Sequence, residues 1–348
     1  DIHEVSGKDA LLAYVVGNET ITRIARGVHP HHYDKGWHPT ATLGIFGTVA
    51  AAARLLELSV DQTATALCIA ASFASGLKAN FGSMTKPLHV GQGNRNGLYA
   101  AFLAQEGFTA NHQAFEHKQG FLEVFNGCGN YEAEKMQEDW GAPFDLVSVG
   151  VGLKKHPCCG STHASIEAML EVRAAHDIDP QQVRSIDVLV HPLRLPHTNN
   201  PDPRTPLQCK FSQQYVVARA LMDGRIRLAD FEPKAFEQEA VRTLLGKVEA
   251  RGHEGSFSEF AAEVTVTMQD GTTFSALNDV DMGRGLNNPM SDQELWEKFE
   301  DCAQRSLEDR AIRPLFERLN SLESADRLSQ VTAMAQHPRS EIKGVAAD

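Results

Sequence analysis

The chain has 348 residues, 42% of them hydrophobic and 22% charged, an ordinary globular composition with room for one or two domains. Its net charge of -12 is spread along the sequence rather than blocked into tails, which argues against nonspecific nucleic-acid binding and requires any acidic substrate to meet local Lys, Arg or His. The six cysteines have neither disulfide-framework density nor paired zinc spacing, and the most apolar run, 41–53, is shorter than the roughly 20 residues a membrane helix needs. With no signal peptide visible, these features predict a cytoplasmic chain with reduced thiols and no membrane partner.

From Ala10 to about Phe125 apolar residues recur at three and four spacing among many alanines, which predicts a bundle of closely packed helices. Ser59 followed by Gln62 is a capping box that opens one of them. The stretch "HYDKGWHPTATLG", residues 32–44, sets Tyr33, Lys35, Trp37 and His38 before a helix of small residues. Together with His29, His31 and His32 it invites a metal reading, but no Cys or carboxylate stands at zinc-like spacing, so no metal is expected. The pattern instead suggests one working histidine among solvated ones. His38 precedes Pro39 at a helix start, where orphan backbone N–H groups favour an anionic ligand. Next, "GSMTKPLHVGQGNRNG", residues 82–97, reads as a polar loop between two helices that concentrates Lys86, His89 and Arg95. Lys86 offers a point charge to a carboxylate, and His89 can move a proton near neutrality.

The pattern changes near Val147. "KKHPCCGSTHASIEAML", residues 154–170, places Lys154, Lys155 and His156 before Pro157, then Ser161, Thr162 and His163 at a helix start, an arrangement suited to an anion. The adjacent Cys158 and Cys159 lack the spaced thiolates of an iron-sulfur site, and a nucleophilic Cys159 near His163 would need a lowered thiol pKa. "VRSIDVLVHP" alternates Ile186, Val188 and Val190 against polar neighbours, and "AEVTVTMQDGTTFSALND" reads as two strands joined at Asp270-Gly271. Helical patterns occupy about 162–176, 212–223 and 233–248; the second carries Tyr215, which alone reads as a core or interface tyrosine. At "NPMSDQELWEKF" a second capping box, Ser291 to Glu294, restarts helix. The predicted fold is mainly α: an Ala-rich helical domain over 1–149 and 286–348, interrupted by a smaller α/β lid domain over 150–285. Gly150, Gly152, Gly283 and Gly285 flank the insert as hinge or turn glycines.

Taken together, "GWHPTATLG", "ANFGSMTKPLHVGQGNRNG", "GFLEVFNG", "KKHPCCGSTHA", "KFSQQYVVARALMDG" and "NPMSDQELWEKF" resemble the 2-methylcitrate dehydratase and cis-aconitate decarboxylase family (MmgE/PrpD). The resemblance is collinear and spans nearly the whole chain. It implies a homodimer of two-domain subunits, a cleft between a helical domain and a lid, a small carboxylate substrate, and no metal or organic cofactor. It implies catalytic roles for His38, Lys86, Lys154 and Tyr215 and sets Cys159 and His163 beside them; with His89 and Arg95 of the polar loop, these two are the expected substrate-binding residues. Cys159 stands where animal cis-aconitate decarboxylases carry a histidine, which weakens a decarboxylase assignment and makes His163 the nearer candidate. The leading expectation is a dehydratase for a 2-methylcitrate-like acid; the alternatives are an iminodisuccinate-like epimerase and a cis-aconitate decarboxylase. Relatives carry an upstream helical stretch whose Asp and His complete the acid/base set, and its absence from this sequence raises a further alternative, a truncated and inactive dimeric relative.

Overall fold

The computed structural model describes residues 4–255, 258–279 and 284–336. These fall into two compact units, one of residues 4–150 with 307–336 and the other of residues 151–306. Gly283, one of the four candidate hinge glycines, lies outside the described residues; Gly150, with φ of +78°, stands at the division itself.

The first unit is helical. It contains α1 (Gly7–Val28), α2 (His31–Asp34), α3 (Pro39–Thr42), α4 (Gly44–Leu55), α5 (Val60–Phe73), α6 (Thr85–Gln105), α7 (Phe121–Asn126) and α8 (Asp145–Ser148), joined later in the chain by helices Asp309–Asn320 and Leu328–Met334. Ser59 and Gln62 form the expected reciprocal cap of α5. Ile24, Phe46, Val49, Ile69, Ala100 and Phe121 belong to one buried cluster. Its alanines and glycines have a steric reason. A Cβ added at Gly47 would lie 2.7 Å from the Gly17 carbonyl oxygen, and one at Gly97 would lie 2.7 Å from the Ile45 carbonyl oxygen. Backbones of α1 and α6 thus close directly on α4, at distances no side chain permits. The loop before α8 is tied to α1 by a buried cluster: Arg23 pairs with Glu19 at 2.6 Å and donates to the carbonyls of Glu138 and Asp139, while Glu19 accepts from the N–H groups of Gly141 and Asp145. Burial opposes the charge of Glu19, but these hydrogen bonds outweigh it and hold its pKa below the usual carboxylate range.

The second unit is built on a four-stranded mixed sheet in the order β2-β1-β3-β4. Helix α9 (His163–Ala175) precedes β1 (Val183–Val190); β2 (Val248–Gly252), β3 (Ala262–Met268) and β4 (Thr273–Asn278) follow. Strand β1 pairs parallel with β2 and antiparallel with β3, with Val188 facing Ala250 on one side and Val264 on the other. Strands β3 and β4 form the hairpin expected at Asp270-Gly271, where Gly271 takes φ of +90°. Helices α9 and Gln213–Asp223 close the core with Met169, Val172, Val217 and Leu221.

Two expectations change. The helical pattern over 233–248 resolves into the short helices Pro233–Phe236 and Glu239–Leu245, and Val248 opens β2 instead. Helix Asp292–Ala303, expected with the helical domain, belongs to the second unit, so the return begins at Leu307 rather than at 286. The reason is polar anchoring: Glu294 pairs with Arg284 and Lys155, and Asp301 accepts from the Leu228 N–H.

The close approach on α4 sets a stability prediction. Gly97→Ala should destabilise by about 1–3 kcal/mol through overpacking, whereas Gly91→Ala, on the same helix with open space around it, should be neutral or stabilise by up to about 1 kcal/mol. Urea unfolding midpoints compare the two. Equal midpoints would remove close packing as the reason for Gly97.

Candidate active site

His38 is placed by two neighbouring devices. A small antiparallel clip pairs Trp37 with Leu77, and within it the His38 N–H donates to the Gly76 carbonyl at 3.0 Å and the Lys78 N–H to the Gly36 carbonyl at 2.8 Å. Pro39 then starts α3, so the His38 carbonyl accepts from the N–H groups of Ala41 and Thr42. Fixed at both ends, the side chain enters a nearly closed setting with only 5% of the residue exposed.

Three groups meet there. The Nδ1 atoms of His38 and His89 are 3.3 Å apart; the Phe81 ring stands edge-on to His38 at 4.9 Å; and the Lys86 ammonium sits 4.0 Å from the centre of that same Phe81 ring. Burial, then the electrostatic influence of the neighbouring Lys86 and His89, pulls the His38 pKa down to about 4. At neutral pH the ring is uncharged and free to accept a proton or a hydrogen bond. Gly76 makes the arrangement possible, since a Cβ there would press on Ala41 at 3.2 Å and on the His89 ring at 3.3 Å. Neither Gly76 nor Phe81 was singled out by sequence; a lone aromatic inside "ANFGSM" was the available signal.

The stretch expected to be a loop is helix. Residues Thr85–Gln105 are continuous α6, with Lys86 and His89 in its first two turns and Pro87 where a missing N–H costs least. Arg95 is exposed six residues beyond His89, which places it about 120° around the helix and away from His38. Of the neighbouring histidines, His29 and His31 are exposed as expected, and His32 is the exception. His32 is buried, with Nδ1 2.9 Å from Asn126 Oδ1 and Nε2 2.7 Å from Thr42 Oγ1, and it packs among Trp37, Phe121 and Phe125. Desolvation lowers its pKa, as fits a neutral core histidine. Among the described residues no three His, Cys, Asp or Glu side chains converge as a metal-binding group.

The remaining candidates lie in the second unit. Lys154 is exposed. Lys155 and His156, expected to face an anion, are taken by Glu167, at 3.2 and 2.6 Å. His163 is buried, and its Nε2 has no hydrogen-bond partner among the described residues. Burial, then His156 and Lys154, push its pKa down to about 3. Cys159 is half-buried, whereas the Cys158 thiol is wholly enclosed against Thr162 Oγ1 at 3.2 Å and pushed up by desolvation, the opposite of a reactive thiolate. Tyr215, expected to face the cleft, has a core environment within its unit. It is fully buried in the core with its hydroxyl donating to the Asp230 carbonyl, and burial drives its pKa far above the ordinary phenol value.

Residues 1–134 match the MmgE/PrpD N-terminal domain and residues 156–320 the MmgE/PrpD C-terminal domain. The chain belongs to the MmgE/PrpD family. It is 31% identical to human cis-aconitate decarboxylase over 341 residues, covering 96% of this chain and 70% of that protein. The mouse cis-aconitate decarboxylase is likewise 31% identical over 97% of the chain and 70% of its own length, and that of Aspergillus terreus (strain NIH 2624 / FGSC A1156) 26% identical over 95% and 71%. These relatives are decarboxylases by name, that is, lyases. Within the MmgE/PrpD chain the His38, Lys86 and His89 group falls inside the N-terminal match, His163 and Tyr215 inside the C-terminal one, and Lys154 between the two.

The buried imidazoles give a pH prediction. His38 and His163 have folded pKa values below the unfolded 6.5, so the unfolded chain binds protons more readily; their contribution is complete above about pH 6.5 and lost as pH falls toward 4 for His38 and 3 for His163. The urea midpoint should therefore decline steadily from pH 6.5 to 4.5, above the range where Glu167 and Glu294, held near 2, begin to matter. A midpoint flat across that window would contradict the neutral buried state of both rings.

Proposed function

We infer that this chain is a cofactor-independent lyase for a short di- or tricarboxylate, working at a carbon next to a carboxylate. The observation that carries the reading is the neutral His38 imidazole, walled by Phe81 and set between His89 and the Lys86 ammonium. A proton beside a carboxylate is only weakly acidic, so its removal needs a positioned base and a nearby cation for the enolate-like charge that develops. Part of the depression of the His38 pKa comes from Lys86. A substrate carboxylate placed on Lys86 cancels that part and makes His38 a better proton acceptor at the moment the substrate is present. His89, in contact with His38, provides the onward path for the proton. Lys154 supplies a second point charge for a carboxylate, and His163 an uncharged hydrogen-bond acceptor.

Within this class the similarity to cis-aconitate decarboxylases over nearly the whole chain supports decarboxylation of a cis-aconitate-like acid. Dehydration of a 2-methylcitrate-like hydroxy acid is the second reading, favoured by Cys159 in place of the histidine found in animal decarboxylases. Both move a proton through His38: in dehydration it accepts the proton beside the carboxylate and the hydroxyl leaves as water with a proton returned from the site, whereas in decarboxylation CO2 leaves and a proton passed through His38 is delivered to the carbanion left behind. They part at the bond that breaks: carbon to carboxylate in one, carbon to hydroxyl in the other. Assembly as a homodimer accompanies either reading.

Incubation with cis-aconitate and with 2-methylcitrate in deuterated buffer, following CO2, alkene absorbance and deuterium uptake, separates them. We expect CO2 from the first or new alkene from the second, and a fall in kcat of about 10²- to 10⁴-fold in His38→Gln. Deuterium uptake with neither product would replace the lyase by an epimerase; a His38→Gln enzyme within threefold of wild type would remove His38 from the chemistry.

A further inference from the structure

Lys154 lies on a short strap whose flanking residues are both tied down. On one side the Leu153 backbone pairs with that of Arg284 through two hydrogen bonds, of 2.9 and 2.8 Å. On the other, Lys155 reaches Glu167 at 3.2 Å and Glu294 at 3.3 Å, and His156 Nε2 lies 2.6 Å from Glu167. Arg284 closes the circuit on Glu294 at 3.0 Å. The two cations Lys155 and Arg284 are matched by two carboxylates, and both carboxylates are held ionised well below their usual range. Lys154 has no ion-pair partner among the described residues.

Partly exposed ion pairs contribute little to stability singly, so four charges drawn from the strap, α9, Arg284 and helix Asp292–Ala303 are better suited to fixing a geometry. The structure assigns Glu294 and Glu167 as positioning residues that hold the strap so that Lys154 stands as its one uncompensated charge, ready for a substrate carboxylate. This assignment rests on the reading of the chain as acting on di- or tricarboxylates. It differs from a role in binding substrate directly: both carboxylates would repel such a ligand and act only through Lys154. The backbone that carries Lys154 is already fixed before the ligand arrives, so less of the cost of ordering the site falls on binding.

The test is calorimetric binding of tricarballylate, a tricarboxylate with neither hydroxyl nor double bond, to wild type, Lys154→Ala, Glu294→Gln and the double variant. Gln at 294 can still serve the Ser291 capping box, so the helix start is retained and only the charge is lost. We expect Glu294→Gln to weaken binding about three- to tenfold, Lys154→Ala to weaken it at least as much, and the double variant to match Lys154→Ala. Should Glu294→Gln melt early, Glu167→Gln takes its place in the same cycle. Effects of Glu294→Gln that add fully to those of Lys154→Ala overturn the assignment, as does wild-type affinity in Lys154→Ala. Absence of any binding to wild type overturns the carboxylate reading and this assignment with it.

Discussion

The His38 site depends on how closely α6 can approach the backbone of α3 and α4. His89, Gly93 and Gly97 recur every fourth residue and so share one face of α6. A Cβ at Gly93 would lie 3.2 Å from the Ala41 carbonyl and one at Gly97 2.7 Å from that of Ile45. Where these side chains are missing the helix settles onto its neighbour, and one turn earlier the same face delivers His89 to 3.3 Å from His38. Packing and chemistry are therefore one constraint in this unit. The small residues that make the bundle tight also fix the distance between the two imidazoles.

That constraint explains the electrostatics. A histidine free in water titrates near 6.5. Enclosed beside Phe81, His38 stays neutral, because burial, the Lys86 ammonium and the neighbouring His89 all disfavour a charge on its ring. An anionic ligand is the natural complement. The second unit solves a similar problem by the opposite means: Glu167 and Glu294 neutralise Lys155 and Arg284, and Lys154 is left without an ion-pair partner among the described residues.

Much of the fold was legible from the sequence because local signals agreed with packing. The capping boxes at Ser59 and Ser291, the Asp270-Gly271 hairpin and the alternation of Ile186, Val188 and Val190 each state a local rule that the structure obeys. What escaped was set by tertiary contacts. "TKPLHVGQGNRNG" has glycines and a proline that read as loop, yet Pro87 falls in a first turn and Gly93 and Gly97 are demanded by a neighbouring helix. Tyr215 matched a family position, but only coordinates reveal a hydroxyl spent on the Asp230 carbonyl. His32 and His38 look alike in "HPHHYDKGWHP"; the first finds Asn126 and Thr42, while the second finds another histidine and a lysine.

The central claim is that Lys86 and burial together keep His38 uncharged until a carboxylate arrives. Titration of the His38 ring nitrogens by 15N NMR, in wild type and in Lys86→Met, addresses it without any substrate. The expected result is a His38 that titrates near pH 4 in wild type and rises in Lys86→Met, stopping short of 6.5 because burial is the larger cause. A His38 that titrates near 6.5 in the wild-type protein, or one unmoved by loss of the Lys86 charge, would contradict the account.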